Sequence, residues 1–273
     1  MIRLNRELAK IDYKRVEEEI ARFIVAVVSE SKADGVVLGL SGGVDSSVVA
    51  ALCAKALGKE RVLGLLMPAA FTPTEDQADA KAIAEDLGIR TCLIPLSQII
   101  DKFLETIPLT AKNRVAVGNV LARMRMVVSY FFANSLNYLV AGTGDRSEFM
   151  IGYFTKHGDG GADFLPIGHL YKTQVRELAK HLGLPSRIVD KPASPQLWNG
   201  QRATDEIPVD YSILDVILYE LFDAKANAND IVKQPGIRPE VVEAVQQRFE
   251  RSRHKRTTSP MPVLSQELSP RSA

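Results

Sequence analysis

Seven consecutive residues, Ser41-Gly42-Gly43-Val44-Asp45-Ser46-Ser47, hold two glycines, three hydroxyls and one carboxylate. Glycine permits positive φ and close approach of the backbone to a ligand, and serine hydroxyls donate hydrogen bonds, so the composition suits an anion. The run Gly39-Leu40-Ser41-Gly42-Gly43-Val44-Asp45-Ser46 is not a Walker loop, because it lacks the lysine that grips the terminal phosphates. An aspartate stands among the donors instead. A carboxylate beside phosphates makes chemical sense when a divalent cation lies between them, since Mg2+ takes oxygen ligands from both. A glycine-rich turn alone is often only a tight connection. Here donors and acid coincide directly after an apolar run, where a strand would end and a ligand would bind.

The flanking sequence supplies such a frame. Residues 35–40 form a short, glycine-bounded, β-branched run, as a parallel strand buried on both faces requires. Residues 46–57 read as a helix stopped by Gly58, and a second strand follows over 61–66. The next helix runs to Leu87, with Thr72 as N-cap, Pro73 in the first turn and Glu75 closing a capping box. A strand over 90–94, a helix over 97–105, a long helix over 115–135 and a strand over 138–142 continue the alternation. A helix over 11–30, capped by Asp12, precedes it all. The pattern predicts an α/β fold: a doubly wound, mostly parallel sheet with helices on both faces and a helical C-terminal part.

After Asp145 no strand pattern is evident. A glycine-rich loop covers 152–168, a helix 172–182, and a proline-rich polar segment over 190–208 is long enough for a lid. Helices are expected over 211–222 and 239–251. One domain over 1–256 and a disordered Ser/Pro tail over 257–273 are the expected organisation.

The formal net charge of +1 gives no reason to expect a nucleic-acid partner, and RFERSRHKR at 248–256 reads as a solvated helix end. No apolar run approaches the roughly 20 residues of a membrane span, and the N-terminus has no signal-peptide core, so no membrane association is expected. Cys53 and Cys92 lack metal-ligand spacing and read as core thiols of a cytoplasmic protein.

SGGVDSS resembles the pyrophosphatase loop of the adenine-nucleotide α-hydrolases, which cut ATP between the α- and β-phosphates and adenylate a substrate oxygen. The runs GNVLARMRM from Gly118, GTGDRSE from Gly142 and GYFTKHGDGGAD from Gly152 narrow the resemblance. With Leu165-Pro166-Ile167, Leu170-Tyr171-Lys172 and His254-Lys255, they are similar, in the same order, to the ammonia-dependent NAD synthetases. The likeness extends from about residue 15 to about residue 256. It implies a ligase that amidates deamido-NAD with ammonia to NAD+ through an acyl adenylate, releasing AMP and pyrophosphate.

The resemblance further implies Mg2+ as cofactor, with Asp45 and Glu148 as its ligands. It implies ATP contacts at Gly39, Leu40, Ser41, Gly42, Gly43, Val44, Asp45, Ser46, Thr143, Lys172 and Ser194. Arg123, Lys156, Asp163, His254 and Lys255 match substrate-binding positions, and Asp159 falls near the ammonia pocket. Asp45, Lys172 and Asp159 are the implied catalytic group. Residues 191–198 resemble the family's mobile loop, although Ala193-Ser194-Pro195 departs from its proline, Ser/Thr, Ala order.

Chemistry is compatible with these placements. A lysine at a helix start, Lys172, can set an ammonium beside phosphates where charge accumulates, and Glu148 follows the carboxyl end of a strand. The 115–135 helix is apolar almost all round, which suggests that it packs on its own sheet and on a second subunit, giving a homodimer. Arg123 is the better ligand candidate there, while Arg125 can pair with a carboxylate. His157, a lone histidine, reads as structural more readily than as functional. Neither cysteine sits in an activating context, so ammonia rather than glutamine is the expected direct donor. A tRNA-modifying ligase would call for a basic surface or zinc-ligand cysteines, and a non-catalytic nucleotide binder would not need Asp45, Glu148 and Lys172 together.

Overall fold

The computed structural model describes residue 8, residues 10–108 and residues 113–262. Most of the expected tail, 263–273, lies outside the described residues. In chain order the first elements are α1 (Tyr13–Glu30), β1 (Gly35–Gly39), α2 (Val44–Leu57), β2 (Val62–Leu66), α3 (Thr74–Leu87), β3 (Arg90–Leu93) and α4 (Ser97–Thr106). The long α5 (Arg114–Leu136), β4 (Tyr138–Val140) and α6 (Arg146–Ile151) follow. The C-terminal part holds α7 (Lys172–His181), α8 (Ser186–Val189), α9 (Tyr211–Leu218), α10 (Ala228–Ile231) and α11 (Pro239–Arg251).

Among the described residues the sheet has four parallel strands in the order β3-β2-β1-β4, so the winding reverses between β1 and β4. Successive side chains alternate between faces. Val36 and Leu38 of β1 pack with α1, α2, α3 and α7, whereas Val37 joins Leu63 and Leu65 in a second core under α4 and α5. Both faces are thus covered by helices, as a buried parallel sheet requires. A third core is built by α6, α9, α10 and α11 around Ile151, Tyr211, Leu214, Ile217 and Val245.

Local chemistry moves several boundaries. Helix α2 begins at Val44, not Ser46, because Gly43 already takes the extended N-cap conformation. The capping box expected at 72–75 does not form. Pro73 is the N-cap of α3, and the Thr72 hydroxyl is used in a turn, accepting from Ala69 N at 2.9 Å. Strand β4 ends at Val140, and Ala141 makes one further parallel bridge to Phe164. The 211–222 helix widens after Leu218 into a π turn over Tyr219–Asp223.

The expectation that no segment could match a membrane span needs correction for α5. Its 23 residues are long and apolar enough by length and composition alone. Leu121 and Ala133 nevertheless lie in the core under the sheet, and the helix carries Arg123 and Arg125. Its other side shows apolar groups to solvent, with Phe131 68 % exposed and Val127 53 % exposed.

Candidate active site

The carboxyl ends of β1, β2 and β4 open into one cleft of about 740 Å3, lined among others by Gly39, Leu65 and Val140. It therefore lies at the reversal of strand order, where open α/β sheets bind ligands. Gly39, Leu40, Ser41, Gly43, Val44, Asp45 and Ser46 line it, as do Thr143, Glu148, Asp159, Ser194 and Lys255.

The loop's composition explains its shape. Gly42 has φ +77°, and a Cβ there would collide with the Asp76 carbonyl of α3, so only glycine fits. Ser46 Oγ accepts from Ser41 N at 3.2 Å, and the Ser47 hydroxyl donates to Gly43 O at 2.9 Å, which fixes the turn from inside. Gly43 caps α2 without a side chain. The first-turn N–H groups and the positive end of a 14-residue helix are left to an anion in the cleft.

Behind this loop sits a charge cluster. Lys172, at the start of α7, is 0 % exposed and does not line the cleft. Its Nζ lies 2.7 Å from Asp45 Oδ2, 2.9 Å from Glu148 Oε1 and 2.9 Å from Asp145 Oδ2. Lys172 thus pairs with three carboxylates from beneath the cleft, where the sequence suggested a lysine facing phosphates directly. Burial alone would lower its pKa, but Asp145, Asp45 and Glu148 together hold it well above the ordinary lysine value. Loss of hydration raises the carboxyls of Asp145 and Glu148, an effect that Lys172 only partly offsets. The Tyr211 ring closes the cluster, with Lys172 Nζ 5.2 Å from its centroid.

Three acids against one ammonium leave an excess of two negative charges when all are ionised, which a divalent cation would balance. Asp45 Oδ1 is buried without a hydrogen-bond partner, an oxygen placed to take such a cation. Among the described residues no group of three or more His, Cys, Asp or Glu forms a complete metal cage. Asp45 and Glu148 fit Mg2+ in its usual manner, with few carboxylates and the remaining positions for phosphates and water.

Sequence reasoning missed Asp145 and Asp215. Asp145 accepts from Glu148 N at 2.9 Å as the N-cap of α6, and its signature was the Asp-x-x-Glu spacing before a helix. Asp215 is fully buried; it accepts from Ser147 Oγ at 2.6 Å and from Thr173 N at 2.8 Å. Ser147 Oγ in turn accepts from Lys172 N at 2.9 Å. Asp215 thereby fixes the end of α7 that presents Lys172. Its place in the α9 sequence gives no sign of this.

On the far side of the cleft Asp159 accepts from Thr155 N at 2.8 Å. The pocket's depth strips water from its carboxyl and raises its pKa, against the lowering influence of Thr155, Lys255 and Arg125. Lys255 reaches in from the C-terminal side and donates to Gly152 O at 2.7 Å and Phe154 O at 2.5 Å.

Four expected substrate contacts lie outside the cleft. Arg123 Nε donates to Lys156 O at 3.3 Å, and Lys156 Nζ to His254 O at 2.9 Å, so these three form one outer chain beside α5. Asp163 closes the end of the sheet, accepting from Val140 N at 2.7 Å and Tyr130 OH at 3.1 Å. Arg125, by contrast, lines the cleft.

A family model for NAD synthase matches residues 16–259. The NH(3)-dependent NAD(+) synthetase of Hyperthermus butylicus is 50 % identical over 94 % of this chain and 93 % of its own. That of Pyrobaculum aerophilum is 47 % identical over 93 % of this chain and 94 % of its own. Among solved structures, the NMN synthetase of Francisella tularensis superposes with a TM-score of 0.83 at 32 % identity, over 93 % of this chain and all of that one. The NH3-dependent NAD synthetase of Campylobacter jejuni does so at 0.79 and 31 %, with the same coverage. Sequence and fold are alike over nearly the whole chain, and the chain belongs to the NAD synthase family.

Proposed function

We propose that this chain amidates the nicotinate carboxylate of deamido-NAD with ammonia, cleaving ATP to AMP and pyrophosphate and releasing NAD+. The reaction is that of a carbon–nitrogen ligase with ATP as co-substrate. The N-terminus of α2 and the hydroxyls of Ser41 and Ser46 hold the phosphates, while Thr143 and Ser194 bound the nucleotide from the β4 and lid sides. The nicotinate carboxylate attacks the α-phosphorus in line with departing pyrophosphate, giving an acyl adenylate. Mg2+ bound by Asp45 and Glu148 would supply charge neutralisation at the phosphates. Lys172 sets the geometry and charge of those two carboxylates from below.

Asp159 accepts a proton from ammonium. The ammonia formed attacks the activated carbonyl, loses a second proton to solvent, and AMP leaves with the C–O bonding pair. A carboxyl raised by burial is a stronger base than a solvated one, which suits it to this step. No covalent bond to the protein is required.

The chain acts as a homodimer in this reading, joined through α5. Arg123, Val127 and Phe131 follow one another at intervals of four along its exposed side. A second copy on that face would cover the apolar groups and bring Arg123, Lys156 and His254 to the seam, where they can hold the dinucleotide.

The observation that carries the reading is Asp45, at the first turn of α2, lining the cleft with one carboxylate oxygen unpartnered. Exchange of labelled pyrophosphate into ATP, measured without ammonium, tests it. Exchange is expected only when deamido-NAD is present; exchange without it would overturn the acyl-adenylate route.

A further inference from the structure

The segment 191–201 closes one side of the cleft, and two helices hold it. On α3, Asp76 Oδ1 pairs with Lys191 Nζ at 2.7 Å, and Asp76 Oδ2 accepts from Gln196 Nε2 at 2.5 Å. Asp79 pairs with Lys191 and with Arg187, the latter at 2.8 Å. On α5, Gly118 leaves room for Leu197 and Trp198. A Cβ there would stand 2.9 Å from Leu197 Cβ and 3.2 Å from the Trp198 ring. The Arg114 guanidinium lies 5.0 Å over that ring.

Two turns beyond Gly118, the terminal nitrogens of Arg125 donate to the carbonyls of Pro195 and Gln196, each at 3.4 Å. Gln196 has φ +50°, an unfavourable region for a residue with a Cβ. Such a conformation persists where its surroundings hold it, and here α3 holds the side chain while Arg125 holds the carbonyl.

The loop carrying Asp159 is seated on α5 on either side of the same arginine. A Cβ on Gly158 would lie 3.0 Å from Ala122 Cβ, and one on Gly161 3.0 Å from Met126 Cγ. Arg125 is thus bracketed by the Asp159 loop and faces the lid carbonyls. Loss of hydration lowers its pKa to about 10, and Asp159 is the charge that opposes this.

We propose that Arg125 is a positioning residue that couples closure of the 191–201 segment to the Asp159 carboxylate. With the segment closed, the two carbonyls orient the guanidinium and exclude water, and its charge acts on Asp159 through a poorly screened path. With the segment open, both acceptors are withdrawn, the guanidinium hydrates, and its hold on Asp159 weakens. Ammonium is then engaged firmly only when the cleft is shut, which protects an activated ester from water until the nucleophile is in place. The proposal rests on reading Asp159 as the acid of the ammonia side.

Trp198 is the chain's single tryptophan, so its fluorescence reports on the segment alone. The test compares wild type, Arg125→Ala and Arg125→Lys by steady-state kinetics in ammonium, ATP and deamido-NAD, and by acrylamide quenching of Trp198 without ligands. Arg125→Ala is expected to raise the KM for ammonium by about tenfold, more than those for the other two substrates, and to make Trp198 more quenchable. Arg125→Lys keeps the charge without the two-armed fork, so it should recover much of the ammonium KM while Trp198 stays more quenchable than in wild type. Unchanged quenching in both variants, or an equal rise in all three KM values, overturns the proposal. Should Arg125→Ala not fold, Arg125→Lys alone decides, with unchanged quenching contradicting the coupling. Wild type that uses no ammonium would instead refute the reading of Asp159, a result distinct from a failed quenching comparison.

Discussion

Lys172 Nζ lies 2.7 Å from Asp45 Oδ2 across 127 positions of sequence, joining the start of α7 to the first turn of α2. The pair binds the phosphate loop to the C-terminal half of the molecule. Because Asp145 and Glu148 share the same ammonium, the contact is a hub and not an isolated ion pair.

Lys172→Met is expected to leave three carboxylates in a poorly hydrated site and to cost about 3–5 kcal/mol of stability. Urea unfolding measures the loss. Added Mg2+ should restore more stability to the variant than it adds to wild type, since the cation can replace the missing charge.

Asp45→Asn keeps the shape but removes the charge that faces the cleft. Pyrophosphate release should fall at least about a hundredfold, with the melting temperature little lowered. Near-normal release would remove Asp45 from the cation site.

Asp215 offers a test by pH. Burial raises its carboxyl to about 7, against lowering by Ser147 and Thr173, while the unfolded chain titrates near about 4. Between these values the folded protein binds more protons than the unfolded one. The group's contribution to stability is therefore full below about pH 4, declines as pH rises, and is lost above about pH 7. Wild type should gain on Asp215→Asn by up to about 1.4 kcal/mol per pH unit as pH falls from 7 to 5. Unfolding free energies across that range check it; a constant difference would contradict the raised carboxyl.

Phe131→Asp places a charge in the exposed apolar side of α5. A shift from dimer to monomer in light scattering, together with a raised KM for deamido-NAD, is expected if that face joins two copies. A wild-type monomer would remove the dimer from the account.

The sheet was legible because buried parallel strands announce themselves as short apolar runs, glycine-bounded at 35–40 and set between a charged turn and a proline at 61–66. The phosphate loop was legible for a different reason, that all its donors are contiguous. Lys172 could be named but not placed, since its carboxylate partners come from two segments distant from it in sequence. Asp215 and Arg125 were beyond reach: the role of each arises from contacts 42 and 70 residues away in sequence, which no local pattern encodes. Thr72 misled because the same hydroxyl can cap a helix or close a turn, and the proline after it favoured the turn.

The most direct test of the account is to incubate the protein with ATP, Mg2+, ammonium and deamido-NAD and to identify every product. NAD+, AMP and pyrophosphate in equal amounts are predicted, with none formed when ammonium or deamido-NAD is left out, whereas ADP and phosphate as the products would contradict it.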